Sequence, residues 1–392
     1  VECCQSAQTS AFEAKIYSND QLITEATGVS HQWLNITIPD PQLWTPETPH
    51  LYDIRITLVD NLDQGEPHVL DKVKSYFGMR KISLGTDSKG HVRIELNNKQ
   101  VFHYGPLDQG YWPDGIYTAP TDEALRYDVE MTKKMGFNMT RKHIKIEPAR
   151  WYYHCDKEGL LVWQDVPSAG LQFEVALTML TGTKLNVNFQ RLRKKHWGQF
   201  SKELREMVRF LYNNPSVVVW VPFNESWGQF KTKKAVKLLK SLDSTRLIDA
   251  ASGWVDKGVG DIKDVHKYPG PGIPKPDSDR NSTEPKRERA LVNGEFGGIS
   301  LEVPEHCWEL NRKWGYKKTA DQREYENKYV ELTDKLRELI PKGLAAAVYT
   351  QITDVEGEIN GLMTYDREVH KIQPKKLRAI HQKLYSAMES AN

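Results

Sequence analysis

The sequence predicts an immunoglobulin-like β-sandwich followed by a (β/α)8 barrel, so that the chain combines a β domain with an α/β domain. Two patterns lead to this prediction. In residues 1–83, apolar and polar side chains alternate, and proline, aspartate and asparagine separate the runs, which is typical of antiparallel strands. In residues 84–392, apolar runs alternate with stretches of helical periodicity, which is typical of parallel strands joined by helices.

The first 83 residues contain three candidate strands. Apolar side chains alternate with polar ones in residues 12–16, 33–38 and 52–58. Residues 39–49 contain four prolines. Because proline has no backbone N–H to donate, we predict a connecting loop there rather than a strand.

Eight apolar runs supply one candidate strand for each position of the barrel. They are residues 101–104, 137–141, 160–164, 217–221, 247–250, 262–266, 291–293 and 344–349. Apolar side chains at helical spacing predict helices between several of these strands. They are Leu125 and Val129 after a start at Asp122, then Phe200, Leu204, Met207, Val208 and Leu211, and finally Tyr329, Leu332 and Leu336. Segments 170–200 and 267–289 interrupt the alternation, and the second has the composition of an exposed, mobile loop.

Length and charge narrow the classes of function. A chain of 392 residues is long enough for two or three domains and a large core. The net charge of +2 gives no strong field, so we expect neither nucleic acid nor a membrane as partner, and no apolar run approaches the roughly 18 residues of a membrane span. The 11 tryptophans and 17 tyrosines suit sugar stacking and an ordinary core equally. The sequence leaves open whether the chain forms a homo-oligomer.

The spacing of cysteine and histidine predicts neither a metal site nor a cofactor. Cys3, Cys4, Cys155 and Cys307 form no Cys-x-x-Cys pair, and adjacent cysteines bridge each other poorly, so we predict free thiols. No His-Glu-x-x-His spacing occurs either. We therefore expect the protein to work without a metal or a cofactor.

A carboxylate stands directly behind the fourth candidate strand. Residues 217–221 form a continuous apolar run, as in a strand buried on both faces, and Pro222 ends its pairing. Asn224 and Glu225 follow at once, with Trp227 close behind. Because α/β barrels carry their chemistry where the strands end, we predict that Glu225 is catalytic. A surface loop after a core strand is the alternative.

A second carboxylate follows the seventh candidate strand. Glu295 stands just past the apolar run, and glycines on both sides of it would let a substrate approach the backbone closely. Two carboxylates on one rim are the minimum set for glycoside hydrolysis, in which one protonates the leaving oxygen and the other attacks the anomeric carbon. A separation of roughly 5–5.5 Å makes the reaction retaining, and one of roughly 6.5–9.5 Å makes it inverting.

Five stretches of the sequence carry a family resemblance. They are Trp44-Thr-Pro-Glu-Thr-Pro-His-Leu-Tyr52, Phe77-Gly-Met-Arg80, Leu96-Asn-Asn-Lys-Gln-Val-Phe-His-Tyr-Gly105, Asn224-Glu225-Ser-Trp-Gly and Gly294-Glu295-Phe-Gly-Gly. In this order they resemble glycoside hydrolase family two, the family of β-galactosidases, β-glucuronidases and β-mannosidases. The resemblance implies a retaining exo-β-glycosidase in which Glu225 is the general acid/base, Glu295 is the nucleophile and Asn224 hydrogen-bonds the sugar 2-hydroxyl.

Further rim positions are candidates for contact with the sugar. His266 and Tyr268 follow the sixth strand, where the family supplies rim residues, and a hydrogen bond from Tyr268 to the nucleophile is expected. His143 follows the second strand, one residue earlier than in the family's Arg-x-x-His-Tyr-Pro motif. The other candidates are Trp112, Asp114 and Trp227, together with Asp165 and Tyr349. A solvated strand end is the alternative for Asp165, and a core position is the alternative for Tyr349.

Two departures from the family pattern bear on the substrate. Glucuronidases hold a carboxylate with an Asn-x-Lys pair after the eighth strand, but residues 358–363 contain no such lysine, and Asn311-Arg-Lys313 follows the seventh strand instead. This favours a β-galactosidase-like activity over a β-glucuronidase or β-mannosidase. The family usually begins with a jelly-roll domain, whereas this chain starts at the sandwich, so we expect a lost domain or a fragment.

Two rival interpretations belong to other classes. An aldolase on the same barrel is disfavoured, because no lysine stands out at a strand end. A carbohydrate-binding fragment that is catalytically silent is the alternative outside enzymology. The presence of both Glu225 and Glu295 argues against decay of the site.

Overall fold

The structure, a computed structural model, divides into two compact units. The first comprises Val1–Arg80 with Asn213–Pro215, and the second comprises Lys81–Tyr212 with Ser216–Asn392. The residues that the structure describes are 11–60, 68–168, 189–225, 229–276, 288–309 and 311–390, with only the backbone described in 189–195. Residues 277–287 of the loop predicted over 267–289 therefore lie outside the described residues.

The first unit contains a four-stranded antiparallel sheet of order β2-β1-β3-β4. Its strands are β1 (Ala11–Ser18), β2 (Gln21–Val29), β3 (Tyr52–Asp60) and β4 (His68–Phe77). Phe12, Ala14 and Ile16 are buried, and the residues between them are less so, which gives β1 one covered face. The strands predicted in 12–16 and 52–58 are thereby confirmed.

The third strand predicted for this unit is wrong. Residues 33–38 are described, and none of them joins a strand, while Trp33 is 99% exposed. Alternation alone does not make a strand when no neighbouring strand supplies hydrogen bonds. Residues 39–49 form a loop, as predicted, and the fully buried Trp44 donates its N–H to the carbonyl of Met79 at 2.8 Å.

The second unit is an eight-stranded sheet that curls into a nearly closed barrel of order β12-β11-β10-β9-β8-β17-β14-β13. Its strands are β8 (His103–Asp108), β9 (Met139–Lys142), β10 (Leu161–Asp165), β11 (Val217–Val221), β12 (Leu247–Ile248), β13 (Ile262–His266), β14 (Ala290–Gly297) and β17 (Leu344–Thr350). All neighbouring pairs are parallel. Each strand overlaps one of the eight predicted, so the barrel is confirmed.

Shorter strands accompany the barrel. They are β5 (Ile82–Thr86), β6 (Val92–Leu96) and β7 (Lys99–Gln100), which form an antiparallel sheet, and β15 (Ile299–Ser300) and β16 (Lys317–Lys318), which form a parallel pair. The β5–β6 hairpin precedes the first barrel strand along the chain.

Six α-helices lie in the described part of the chain. They are α1 (Asp122–Lys134), α2 (Ala149–Glu158), α3 (Phe189–Leu211), α4 (Thr232–Leu242), α5 (Gln322–Leu339) and α6 (Pro374–Glu389). Helix α1 begins after Thr121, whose hydroxyl accepts the N–H of Ala124, and α5 begins after Asp321, whose carboxylate accepts the N–H of Glu324. The apolar side chains predicted from helical spacing are all buried in α1, α3 and α5.

The helices cover the barrel with two apolar clusters. One includes Phe200, Leu204 and Trp220, and the other includes Tyr329 and Leu336. Cys155 and Cys307 are buried free thiols. Among the described residues, no helix combines the length and apolarity needed to cross a lipid bilayer.

Candidate active site

Glu225 follows β11 in a strained backbone conformation. Every residue of β11 is buried, and the chain leaves the strand at Pro222. The φ angle of Glu225 is 55°, in the left-handed region that costs a non-glycine residue of order 1–2 kcal/mol. Its N–H donates to the carbonyl of Ser252 at 2.6 Å, and Asn224 bridges to the same residue, so the neighbouring barrel segment fixes this conformation.

Glu295 lies within β14 rather than beyond its end. The pairing of β14 with β17 is irregular between Asn293 and Phe296, and such irregularities re-aim side chains near active sites. A Cβ atom on Gly294 would collide with the carboxylate of Asp264. The glycine before Glu295 therefore makes room for a neighbouring side chain of the protein, where the sequence analysis expected it to make room for substrate.

The two glutamates meet at one histidine. His266, the last residue of β13, has its Nδ1 3.0 Å from Oε1 of Glu225 and 3.3 Å from Oε2 of Glu295. This nitrogen and one oxygen of each glutamate all lie within 4.8 Å of one another. The three atoms are also close enough to share a single cation.

A hydrogen-bond chain fixes the orientation of His266. Its Nε2 lies 2.8 Å from the hydroxyl oxygen of Ser252, which donates its proton to Asp264 at 2.5 Å. The serine oxygen must therefore accept from Nε2–H, and Nδ1 is left facing the two glutamates. Burial lowers the pKa of His266, but the charge of Glu295 and the hydrogen bond with Glu225 outweigh it, so that the pKa is raised.

Arg141 forms hydrogen bonds to β10, to β14 and to the segment that follows β11. It is fully buried at the end of β9 and donates to both carboxylate oxygens of Asp165 at 2.9 Å. It also donates to Oε1 of Glu295 at 3.2 Å and to Oδ1 of Asn224 at 2.8 Å. Burial lowers the pKa of Arg141, but the charges of Asp165 and Glu295 outweigh this and raise it. The site thus holds a permanent positive charge against Glu295.

Asp165 and His143 lie one contact further from the glutamates. Nδ1 of His143 is 3.1 Å from Asp165, and the side chain of His143 is partly exposed. Burial raises the pKa of Asp165, but Arg141 and His143 outweigh it and lower that pKa. Asp165 therefore stays ionised and orients Arg141.

Tyr268 holds the other side of Glu295. Its hydroxyl donates to Oε2 of Glu295 at 2.8 Å and lies 2.6 Å from the hydroxyl of Thr350. Its ring stacks on Tyr316 with centroids 3.7 Å apart and planes 7° apart. Burial and the charge of Glu295 raise the pKa of Tyr268 well above its ordinary value, so the hydroxyl stays a donor. Two donors, Arg141 and Tyr268, thus face one carboxylate.

Comparison with known families agrees with this fold. The family model of glycosyl hydrolases family 2, TIM barrel domain, matches residues 94–386, and that of glycosyl hydrolases family 2 matches residues 5–80. The chain belongs to glycosyl hydrolases family 2. This confirms the family resemblance and the predicted order of sandwich and barrel.

Individual relatives in family 2 differ in their named activities. The β-galactosidase of Lactococcus lactis is 27% identical over 257 residues, which are 65% of this chain and 23% of the relative. A putative β-glucuronidase of Formosa agariphila is 29% identical over 192 residues, 48% of this chain and 20% of the relative. The chain thus spans about a quarter or less of the length of these relatives.

Solved structures of family 2 share the fold. A β-D-glucuronidase of Dictyoglomus thermophilum matches with a TM-score of 0.69 at 16% identity, over 95% of this chain and 64% of that chain. A putative β-galactosidase from Bacteroides fragilis matches with a TM-score of 0.68 at 18% identity, over 96% and 56%. Identities this low establish the shared architecture alone.

Two candidate rim residues are buried in this family 2 chain. Tyr349 is fully buried, and its ring packs against Phe296 and Tyr329 in the apolar core. Trp112 is also buried, and the guanidinium of Arg367 lies 4.0 Å from its ring centre. The packing of Tyr349 favours its core alternative, while sugar contact by Trp112 stays a prediction. Asp114 is exposed, and Trp227 lies outside the described residues.

Several side chains of the site were not predicted. They are Arg141, Ser252, Asp264, Tyr316 and Thr350. Four of them lie in or directly after a barrel strand, so their position relative to the predicted strands was a usable signal. Tyr316 lies in the long segment between β15 and α5, where no periodicity points to the site.

Proposed function

We propose that this chain is the catalytic portion of a retaining exo-β-glycosidase of β-galactosidase-like specificity. The supporting observation is the proximity of Glu225 and Glu295, which have one oxygen each within 4.8 Å of the other. Retaining enzymes place their carboxyl groups roughly 5–5.5 Å apart, whereas inverting enzymes leave roughly 6.5–9.5 Å for a water molecule. The short separation favours double displacement.

In the first step, Glu295 attacks the anomeric carbon while Glu225 protonates the departing glycosidic oxygen. The carboxylate of Glu295 receives hydrogen bonds from Arg141 and Tyr268, which favour its ionised form. Oε1 of Glu225 lies 3.0 Å from Nδ1 of His266. The two donors on Glu295 support its role as nucleophile, and Glu225 is then the acid.

In the second step, Glu225 takes a proton from water, the water attacks the anomeric carbon, and Glu295 is released as a carboxylate. The proton on the Glu225–His266 pair then stands ready for the next cycle. Asn224, held by Arg141 at 2.8 Å, is placed beside the acid/base for contact with the sugar 2-hydroxyl.

The sugar is the finer part of the proposal. Lys313 forms an ion pair with Glu302 at 2.5 Å, which occupies the lysine of the Asn-x-Lys sequence. This favours a β-galactosidase-like substrate over a β-glucuronide, with a β-mannoside as the further alternative. A binding fragment without turnover is disfavoured by the preserved contacts of both glutamates.

Hydrolysis of a panel of nitrophenyl β-glycosides tests the proposal. We expect Glu295→Gln to lower kcat/KM roughly a thousandfold or more on every substrate, since no covalent intermediate can form. We expect Glu225→Gln to lower it about 10²–10⁴-fold on poor leaving groups and far less on dinitrophenyl glycosides, which need no acid. Glu338→Gln, exposed in the last turn of α5, is the matched control and should leave the rates unchanged.

The stereochemistry of the product separates the two mechanisms. A retaining enzyme releases the β-anomer first, which proton NMR detects before mutarotation. Release of the α-anomer would overturn double displacement. A folded wild-type chain that binds these sugars without cleaving any of them would favour the binding-fragment alternative.

A further inference from the structure

We propose that Glu358 is a specificity residue of this pocket, a third carboxylate that selects neutral sugars and excludes sugars that carry a carboxylate. The inference rests on the proposed function and deepens it by naming a substrate class. Glu358 belongs to the segment that follows β17, at the same end of the barrel as Glu225 and Glu295.

A ring of amide side chains fixes the carboxylate of Glu358. Asn360 donates to Oε1 at 2.9 Å, and Gln109 donates to Oε2 at 3.2 Å. Gln109 also donates to Gln351 at 2.8 Å, and Gln351 donates to Asn360 at 2.9 Å. Gln351 and Asn360 are fully buried. Two amides thus hold this partly exposed carboxylate, and the fully buried Gln351 links them to each other. A solvated loop residue would not need such a network.

The backbone joins the amides around Glu358 to the residues that contact Glu295. Gln351 directly follows Thr350, whose hydroxyl lies 2.6 Å from that of Tyr268. Tyr268 in turn donates to Glu295. The amide ring around Glu358 is therefore continuous with the groups that hold the nucleophile.

A second set of contacts joins the segment around Glu358 to Tyr268. The N–H of Trp314 donates to Gly357 at 2.9 Å, and the N–H of Ile359 donates to Trp314 at 3.1 Å, so the two segments run side by side. Tyr316, two residues further, is half-exposed and stacks on Tyr268. The segment from Trp314 to Tyr316 thus connects the backbone beside Glu358 with Tyr268, which holds Glu295.

The charges of Glu295, Glu358 and Glu225 all act on the hydroxyl of Tyr316. Burial raises the pKa of Tyr316 to about 12, with further contributions from Glu295, Glu358 and Glu225. Burial raises the pKa of Glu358, the hydrogen bonds from Asn360 and Gln109 oppose this rise by favouring the ionised form, and the charge of Glu295 adds to it. These couplings agree with the contacts above, which join Glu358 to the groups that hold Glu295.

Like charges in one enclosed pocket discriminate between sugars. The carboxylate of a uronic acid would lie near a fixed negative charge in a partly desolvated site, where repulsion is only weakly screened. A neutral sugar instead offers hydroxyl groups that donate to the remaining lone pairs of Glu358. We expect wild type to prefer a β-galactoside over a β-glucuronide by roughly 10²-fold or more in kcat/KM.

The test compares these two nitrophenyl glycosides on wild type and variants. Glu358→Gln removes the charge at nearly constant shape, and we expect the preference to fall about tenfold, mainly through faster glucuronide cleavage. Glu358→Asp keeps the charge and should keep the preference. Glu356→Gln removes an exposed charge from the same loop and should leave the preference unchanged.

Binding separates failure of this inference from failure of the proposed function. Calorimetry with both glycosides on Glu295→Gln and on the Glu295→Gln/Glu358→Gln double variant measures the preference without turnover. Equal losses for both sugars in Glu358→Gln would reduce Glu358 to a structural role. A wild-type preference for the glucuronide, in cleavage or in binding, would overturn the inference.

Discussion

His266 contacts both glutamates through the same ring nitrogen, Nδ1. Its Nε2 is committed to Ser252, so only Nδ1 exchanges a proton with Glu225, 3.0 Å away. Glu295 is close enough, at 3.3 Å, to favour the protonated ring by its charge. A base and an acid that share one proton titrate as a pair, and the pair retains that proton at higher pH than an isolated glutamate would.

Replacing this histidine should therefore change the pH profile as well as the rate. Because the pKa of His266 is raised, the wild-type pair keeps its proton up to a pH above the ordinary histidine value, and activity falls as the pH rises further. In His266→Gln only Glu225 holds the proton. We expect the alkaline limb of kcat/KM to move to lower pH by about one unit, with a roughly 10–100-fold loss at neutral pH.

The control for this measurement is a second histidine whose pKa is raised. His306 lies 2.7 Å from Asp366, and its hydrogen bond to Asp366 raises its pKa. His306→Gln should leave the profile unchanged. An unaltered alkaline limb in His266→Gln would show that the histidine is not part of the titrating pair.

The candidate site was only partly predictable at this scale. Glu225 and Glu295 stood out because each is a carboxylate at or near the end of an apolar run. Arg141 gave no comparable signal, since its role comes from three strands that converge on its guanidinium. Tyr349 was misplaced because a strand-end aromatic points either to the rim or to the helices, and the sequence does not distinguish the two directions.

Among the elements, the β5–β6 hairpin is joined to the barrel by one buried arginine. Arg93 donates to the carbonyls of Leu344 and Ile340 at 2.7 and 2.9 Å, where β17 begins. Its Nε donates to Asp87 at 2.9 Å, and the backbone N–H of His91 donates to the same carboxylate at 2.8 Å. Asp87 thus supports both the hairpin turn and the arginine.

We expect Asp87→Asn to destabilise the protein in a pH-dependent way. Burial would raise the pKa of Asp87, but donors from His91 and Arg93 outweigh it and lower the pKa to about 2. Because the folded pKa is depressed, this stabilisation is fully present above the unfolded value near 4 and is lost as the pH falls through about 2. The shift of about two units corresponds to roughly 2–3 kcal/mol at neutral pH.

Denaturant unfolding at pH 7 and at pH 3 measures this contribution. The difference in unfolding free energy between wild type and Asp87→Asn should shrink at the lower pH. Asp114→Asn replaces an exposed aspartate and should cost less than about 0.5 kcal/mol at both pH values. A constant difference for Asp87→Asn would mean that shape, and not charge, carries the effect.

The predicted strand bounds agree with the structure where a strand is uniformly apolar. They differ from it where a strand contains polar residues. The predicted 217–221 and the observed β11 coincide because all five residues are apolar. β8 instead runs to Asp108, since its polar end is satisfied inside the barrel by Lys142 at 2.6 Å. A buried ion pair between strands leaves no trace in periodicity. Periodicity also does not show whether a neighbouring strand is present, which is why residues 33–38 resembled a strand.

At the scale of the barrel, one side chain bridges its remaining gap. β12 and β13 are the two edges of the eight-stranded sheet. Asp261, just before β13, donates its N–H to the carbonyl of Ile248 at 2.7 Å, and its carboxylate accepts the N–H of Ile248 at 2.9 Å. The carboxylate thereby takes the place of a backbone carbonyl as the acceptor of a strand N–H. Lys240 of α4 lies 2.6 Å from the same oxygen.

Two substitutions distinguish closure of the barrel from the ion pair. Asp261→Ala removes the acceptor of the buried Ile248 N–H, which should cost about 1–3 kcal/mol of unfolding free energy. Lys240→Ala removes only a partly exposed partner and should cost less than about 1 kcal/mol. Denaturant unfolding of both variants measures the two losses, and hydrogen exchange of the Ile248 amide should accelerate in Asp261→Ala alone. Equal losses in the two variants would assign the effect to the ion pair and leave the gap without a structural role.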